Sequence, residues 1–105
     1  MLTYNGIRYT LDSIIQSFHC ADTHNLFIKR RTRRWSGIAS VALRKLDQLD
    51  AAAVLSDLAV PPGNQLEPLK GTRAGQCSIR INDQWRICFV WMPDGAHDVE
   101  IVDYH

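Results

Sequence analysis

The sequence predicts an α+β domain, with a short first strand and two helices packed on one face of an antiparallel-rich sheet. Two patterns carry this prediction. Apolar residues recur at helical spacing from Ala39 to Ala53, whereas apolar and polar residues alternate through Gly75–Trp91 and again through Asp98–His105. At 105 residues the chain can close one core and is too small for two.

Ser13–Phe18, "SIIQSF", has the composition of a short strand, and "ADTHNLFIK" after it fits a short helix with Asp22 or Thr23 as its N-cap. A second helix is predicted from Ser36, which can cap it. Ala39, Ala42, Leu43, Leu46, Leu49 and Ala53 form its apolar stripe, and Arg44, Lys45, Asp47, Gln48 and Asp50 its polar side. The stripe needs a sheet to cover it. In "VPPGNQ", Pro61, Pro62 and Gly63 oppose regular structure. A hairpin follows "LEPLKGTRAG", and the last strand, "DVEIVDYH", points Val99 and Ile101 one way and Glu100, Val102 and Tyr104 the other.

The hairpin fixes a register. With a three-residue turn at Asn82-Asp83-Gln84, Ile81 faces Trp85, Ile79 faces Ile87 and Cys77 faces Phe89, which makes one face wholly apolar. Arg80 and Arg86 then oppose each other on the second face. Such a pair is disfavoured by a few tenths to about 1 kcal/mol unless an anion or a neighbouring carboxylate compensates it. With both helices on the apolar face, the second face is expected to be open and to hold Arg80, Arg86 and Tyr104, with Lys70 entering from a loop and His105 at the chain end.

Composition bounds the function. No apolar run is long enough to cross a bilayer and no signal peptide is legible, so a soluble, cytoplasmic protein is expected. Cys20, Cys77 and Cys88 show no paired spacing, and free thiols are expected. Cys20, His24 and His19 are too few and too scattered for a zinc site, so no metal is expected. The net charge of +1 hides a polarised distribution. Lys29, Arg30, Arg31, Arg33 and Arg34 fall within "KRRTRR", and Arg44, Lys45, Lys70, Arg73, Arg80 and Arg86 continue the positive side, while Asp94, Asp98, Glu100 and Asp103 gather near the C-terminus. A basic patch of this kind is the footprint of a nucleic-acid binder, although a basic run alone is more often a solvated connector. Trp35 beside the run could stack on a base or anchor the loop to the core.

Three motifs in order, "EPLKG", "SIRINDQWRICF" and the closing "VEIVDYH", resemble the HigB group of bacterial type II toxins in the RelE/ParE superfamily. The resemblance covers residues 14–105 and implies a RelE-like compact domain. Residues 1–13 form an N-terminal extension outside it. It further implies cleavage of messenger RNA in the ribosomal A site without a cofactor, and silencing by a cognate helix-turn-helix antitoxin of the HigA type. Carried over by motif, Lys70, Arg86, Tyr104 and His105 form the catalytic set. Glu67 stands where many members have histidine, which leaves the general base open between Glu67, Tyr104 and His105.

The chemistry is intelligible from the residues themselves. Cleaving RNA through its 2′-hydroxyl needs a base, cations over the phosphate, and an acid for the leaving 5′-oxygen. Lys70 and Arg86 suit the cationic role, since the guanidinium fork engages two phosphate oxygens at once. Lys29, Arg30, Arg31, Arg33, Arg34, Arg73 and Arg80 are expected to contact the ribosome or RNA. Two other readings stand beside the nuclease, a ParE-like inhibitor of DNA gyrase and an RNA-binding module that does not cut. One fold can host all three.

Overall fold

Residues 15–104 are described by the computed structural model, so the extension 1–13 and His105 lie outside the described residues. Of the expected first strand, Ile15 and Phe18 form isolated parallel bridges to Ala96 and Val99. The backbone bonds Gln16 N–H to Ala96 O (2.7 Å) and His19 N–H to Val99 O (2.9 Å) hold this edge.

Helix α1 spans Ala21–Lys29. Its cap is Cys20 rather than Asp22 or Thr23: the extended Cys20 accepts the Thr23 N–H on Sγ at 3.4 Å. Thr23 is instead buried against the sheet, where Oγ1 accepts the Ile101 N–H at 3.1 Å. Asp22 lies in the first turn, where its charge favours the helix dipole. Helix α2 spans Ala39–Ala51 and starts after Ile38, without a side-chain cap, so Ser36 does not cap it. Trp35 explains the offset. It is 3% exposed and sets a turn in which Ile38 N–H reaches Trp35 O, so the chain turns helical only beyond it. Of the expected stripe, Ala42, Leu46 and Leu49 are buried, but the chain becomes extended at Ala52, which turns inward in place of Ala53.

The sheet holds β1 (Glu67–Pro68), β2 (Cys77–Arg80), β3 (Trp85–Met92) and β4 (Gly95–Asp103), antiparallel and in that order. The hairpin adopts the register expected from parity, with Cys77 facing Phe89, Ile79 facing Ile87 and Arg80 facing Arg86. Ile79, Ile87, Phe89, Val99 and Ile101 meet Leu26, Leu46 and Leu49 in one core. Each such buried side chain contributes about 1.5–3 kcal/mol relative to exposure, far more than any surface ion pair here.

The second face is not open, contrary to expectation. Ser78 and Cys88 are fully buried and Arg86 is 6% exposed. The connection from α2 to β2 crosses the sheet edge and roofs this face. It runs through 3-10 turns at Leu55–Ala59, Pro62–Asn64 and Gly71–Arg73, so "VPPGNQ" carries a turn of regular structure after all. Arg73 pairs with Glu100 at 3.0 Å, the cross-strand neighbour of Cys88. Burial pushes the Cys88 and Cys77 thiols up, and all three cysteines are free.

Candidate active site

The register makes Arg86 the centre of a site. Its guanidinium lies under the roof, where Nε donates to Ser78 Oγ at 2.7 Å and Nη2 to Gln65 O at 2.6 Å and Ser78 O at 3.4 Å. All three acceptors are neutral. A buried cation hydrogen-bonded only to neutral groups has its charge at most partly compensated, and such a charge is costly to desolvate unless an anion comes close. The nearest carboxylate, Glu67 Oε1, stands 4.0 Å from Nη2. Nη1 makes no hydrogen bond among the described residues, so one edge of the fork remains to donate to a ligand.

Strand pairing brings in two further groups. Glu67 of β1 faces Ser78 across the ladder, which places its carboxylate beside the guanidinium. Tyr104 follows β4, whose Val102 faces Arg86. Its backbone N–H is tied to Gln84 O at 2.7 Å. Its ring then lies 5.5 Å from Arg86 Cζ, a cation–π distance, and its hydroxyl is 3.5 Å from Glu67 Oε2. Three elements thus converge one cation, one carboxylate and one phenol. Glu67 and Tyr104 are well exposed at 44% and 38%, so the trio opens to solvent through them while Arg86 stays anchored.

The remaining predicted residues are placed differently. Lys70 lies three residues beyond Glu67, exposed at the start of the Gly71–Arg73 turn, and makes no contact with the trio among the described residues. Arg80 faces Arg86 in register but turns away to pair with Asp83 in the hairpin turn. Arg73 is engaged with Gln76 and Glu100. Sequence reasoning did not single out Ser78 and Gln65, which anchor Arg86. Ser78 had a signal, because it stands two residues before Arg80 and so shares its face by strand parity; Gln65 had none, because it acts through its carbonyl. Among the described residues no three His, Cys, Asp or Glu side chains gather as metal ligands.

On the helix layer, the basic connector divides in two. Arg30 forms a two-bond pair with Asp47 (3.0 and 2.6 Å) and caps α1 in the left-handed conformation, and Arg34 binds Asp22 at 2.8 Å while lying over the Trp35 ring. Trp35 therefore anchors the loop rather than offering a stacking face. Lys29, Arg31 and Arg33 are exposed and unpaired among the described residues. They line a depression of about 450 Å³ with Asn25 and Thr32.

Comparison with known proteins matches residues 11–105 to the family described as the RelE-like toxin of type II toxin–antitoxin system HigB. The chain is 47% identical over 70 residues to Toxin HigB-1 of Vibrio cholerae serotype O1, covering 67% of this chain and 73% of that one. It is 32% identical over 78 residues to an uncharacterized protein of Haemophilus influenzae, covering 74% and 70%. The fold is similar to that of a crystallised variant of YafQ from E. coli, with a TM-score of 0.54 over 85% of this chain and 90% of that one, at 16% identity.

Proposed function

From the premise that the chain belongs to the RelE-like HigB toxins of type II toxin–antitoxin systems, we propose that it is an endoribonuclease that cuts messenger RNA in the ribosomal A site. A toxin of this class has an antitoxin partner, here proposed to be a helix-turn-helix protein of the HigA type. The observation that carries the nuclease reading is the anchored Arg86 guanidinium with Glu67 and Tyr104 beside it.

In the proposed reaction the 2′-oxygen attacks phosphorus and the bond from phosphorus to the 5′-oxygen breaks, leaving a 2′,3′-cyclic phosphate and a 5′-hydroxyl. Glu67 takes the proton of the 2′-hydroxyl. Arg86 stabilises the charge that builds on the phosphate, and it does so without reorganising, because Ser78 and Gln65 already fix its fork. Lys70 closes over the phosphate from its loop. Tyr104 gives a proton to the 5′-oxygen, and the contact between its hydroxyl and Glu67 Oε2 lets the proton taken by Glu67 return to the phenol, so the cycle closes. His105, next in the chain, is the second candidate for acid or base. No helix among the described residues is long and apolar enough to cross a membrane. The gyrase-directed and non-cutting alternatives are not favoured by the family match.

Wild-type protein added to programmed ribosomes is expected to cut the message within the A-site codon and leave those two end groups, read by primer extension and end labelling. Binding to ribosomes with the message left intact would sink the nuclease reading.

The connector is proposed to contact ribosomal RNA through its three unpaired cations. Reversing Lys29, Arg31 and Arg33 to glutamate is expected to weaken ribosome association and to lower the slope of log affinity against log salt by about 2, the loss of roughly three phosphate contacts. Reversing Arg30 would confound the test by breaking the pair with Asp47. An unchanged slope would make the connector a solvated loop.

A further inference from the structure

The segment that roofs Arg86 also holds a cation that the proposed reaction does not use. Lys45, on the polar side of α2, is half-buried and donates to Asn64 Oδ1, its only partner among the described residues. Asn64 is itself fully buried, and its amide donates to Gln48 Oε1 and Leu58 O, both at 3.0 Å, which fixes the acceptor toward Lys45. The next residue, Gln65, is in the left-handed conformation and gives its carbonyl to Arg86. Two consecutive residues at the sheet edge therefore clamp one cation from the helix layer and one from the opposite face. Arg80 is in register with Arg86, and its carboxylate partner among the described residues, Asp83, is fully solvent-exposed. Burial pushes the Lys45 ammonium down from its ordinary value, and the nearby charges of Arg44 and Arg80 push it further.

A lysine held at the surface by a neutral amide, next to two arginines, is stabilised by an anion from outside. We propose that Lys45 and Arg80, tied to Arg86 through Asn64 and Gln65, form a second phosphate subsite that binds a phosphodiester of single-stranded RNA neighbouring the one that is cut. This rests on the nuclease reading for which strand is bound, but the site is defined by its own residues. RNA fits better than an acidic protein segment because the adjacent residues Asn64 and Gln65 tie Lys45 to Arg86, the cation proposed to hold the cut phosphate. A strand seated on Arg86 must continue past its neighbours, and each nucleotide brings a further phosphate to neutralise. The role is binding rather than chemistry, since neither side chain reaches the trio.

The test uses the full chain on programmed ribosomes, with Lys45→Met, Lys45→Arg and Arg80→Gln. Lys45→Met keeps the length of the side chain and removes its charge. It is expected to raise KM about tenfold with kcat within about twofold of wild type, and to lower the salt slope of kcat/KM by about 0.7, the value for one phosphate on a single strand. Arg80→Gln is expected to follow it, and Lys45→Arg to restore KM. A second arm measures binding of a 2′-O-methyl RNA oligonucleotide, which cannot be cut, so the subsite is testable even if wild type proves not to cleave. Weaker oligonucleotide binding by Lys45→Met in a protein with an unchanged unfolding transition supports the subsite. Unchanged KM and unchanged oligonucleotide binding overturn it, as does a fall in kcat alone. A variant that loses only its antitoxin, with RNA binding intact, also overturns it and assigns the patch to the protein partner.

Discussion

Replacing Arg86 with alanine is expected to lower messenger cleavage by about 10²-fold or more, the scale seen when one transition-state donor is removed, while ribosome association survives. The loss should fall on kcat, because the guanidinium meets the phosphate most strongly when charge has built up on it. Truncation also strands acceptors on Ser78 and Gln65 under the roof, at a cost of about 1–3 kcal/mol. A domain of ordinary stability, about 5–15 kcal/mol, remains mostly folded after that loss. An unfolding curve on the same preparation separates the two effects. Arg86→Lys sharpens the comparison: it keeps a positive charge but cannot span Ser78 Oγ and the Gln65 carbonyl together. It should recover little of the rate if orientation matters and most of it if charge alone does. Cleavage by a folded Arg86→Ala protein within about threefold of wild type would remove Arg86 from the reaction.

The hairpin was the most legible part of the fold, and the reason is its period of two. A one-residue slip would have turned Ile79, Ile87 and Phe89 away from the core, so parity alone fixed which side Arg86 takes. The helix boundaries were less legible. Ser36 has the chemistry of a cap, but the insertion of Trp35 decides where α2 begins. Thr23 likewise has the chemistry of a cap and spends its hydroxyl on β4.

The roof was illegible for a different reason. Between Val60 and Gln76 the chain has no hydrophobic period, and it is held by backbone carbonyls and by the amide of Asn64, which any sequence pattern would assign to the surface. An open face was therefore expected where a covered one exists, and the change matters for function. An arginine on an open face is a solvated charge, whereas one anchored under a roof is a fixed electrostatic device. The charge run shows the same limit. Composition marked five cations, but Arg30 finds Asp47 on another helix, and only the fold divides the paired from the unpaired.

Glu67→Gln is expected to slow cleavage by about 10²- to 10⁴-fold, the range for a positioned general base, with little change in KM. The substitution keeps the size of the side chain and its acceptor toward Tyr104 but removes its capacity to take a proton. Tyr104→Phe should lose a comparable factor if its hydroxyl serves the leaving oxygen. The two losses look alike in rate and differ in cause, because one side chain takes a proton from the nucleophile and the other gives one to the leaving group. A message carrying a 5′-thio linkage at the cleavage site separates them. Its thiolate leaves without a proton, so Tyr104→Phe should return close to the wild-type rate on that substrate while Glu67→Gln stays slow. If Tyr104→Phe is not rescued, the acid role passes to His105 and the tyrosine ring acts only through its contact with Arg86. If Glu67→Gln cuts within about threefold of wild type, the carboxylate orients Tyr104 and Arg86 without exchanging protons, and the base must be sought at Tyr104 or His105.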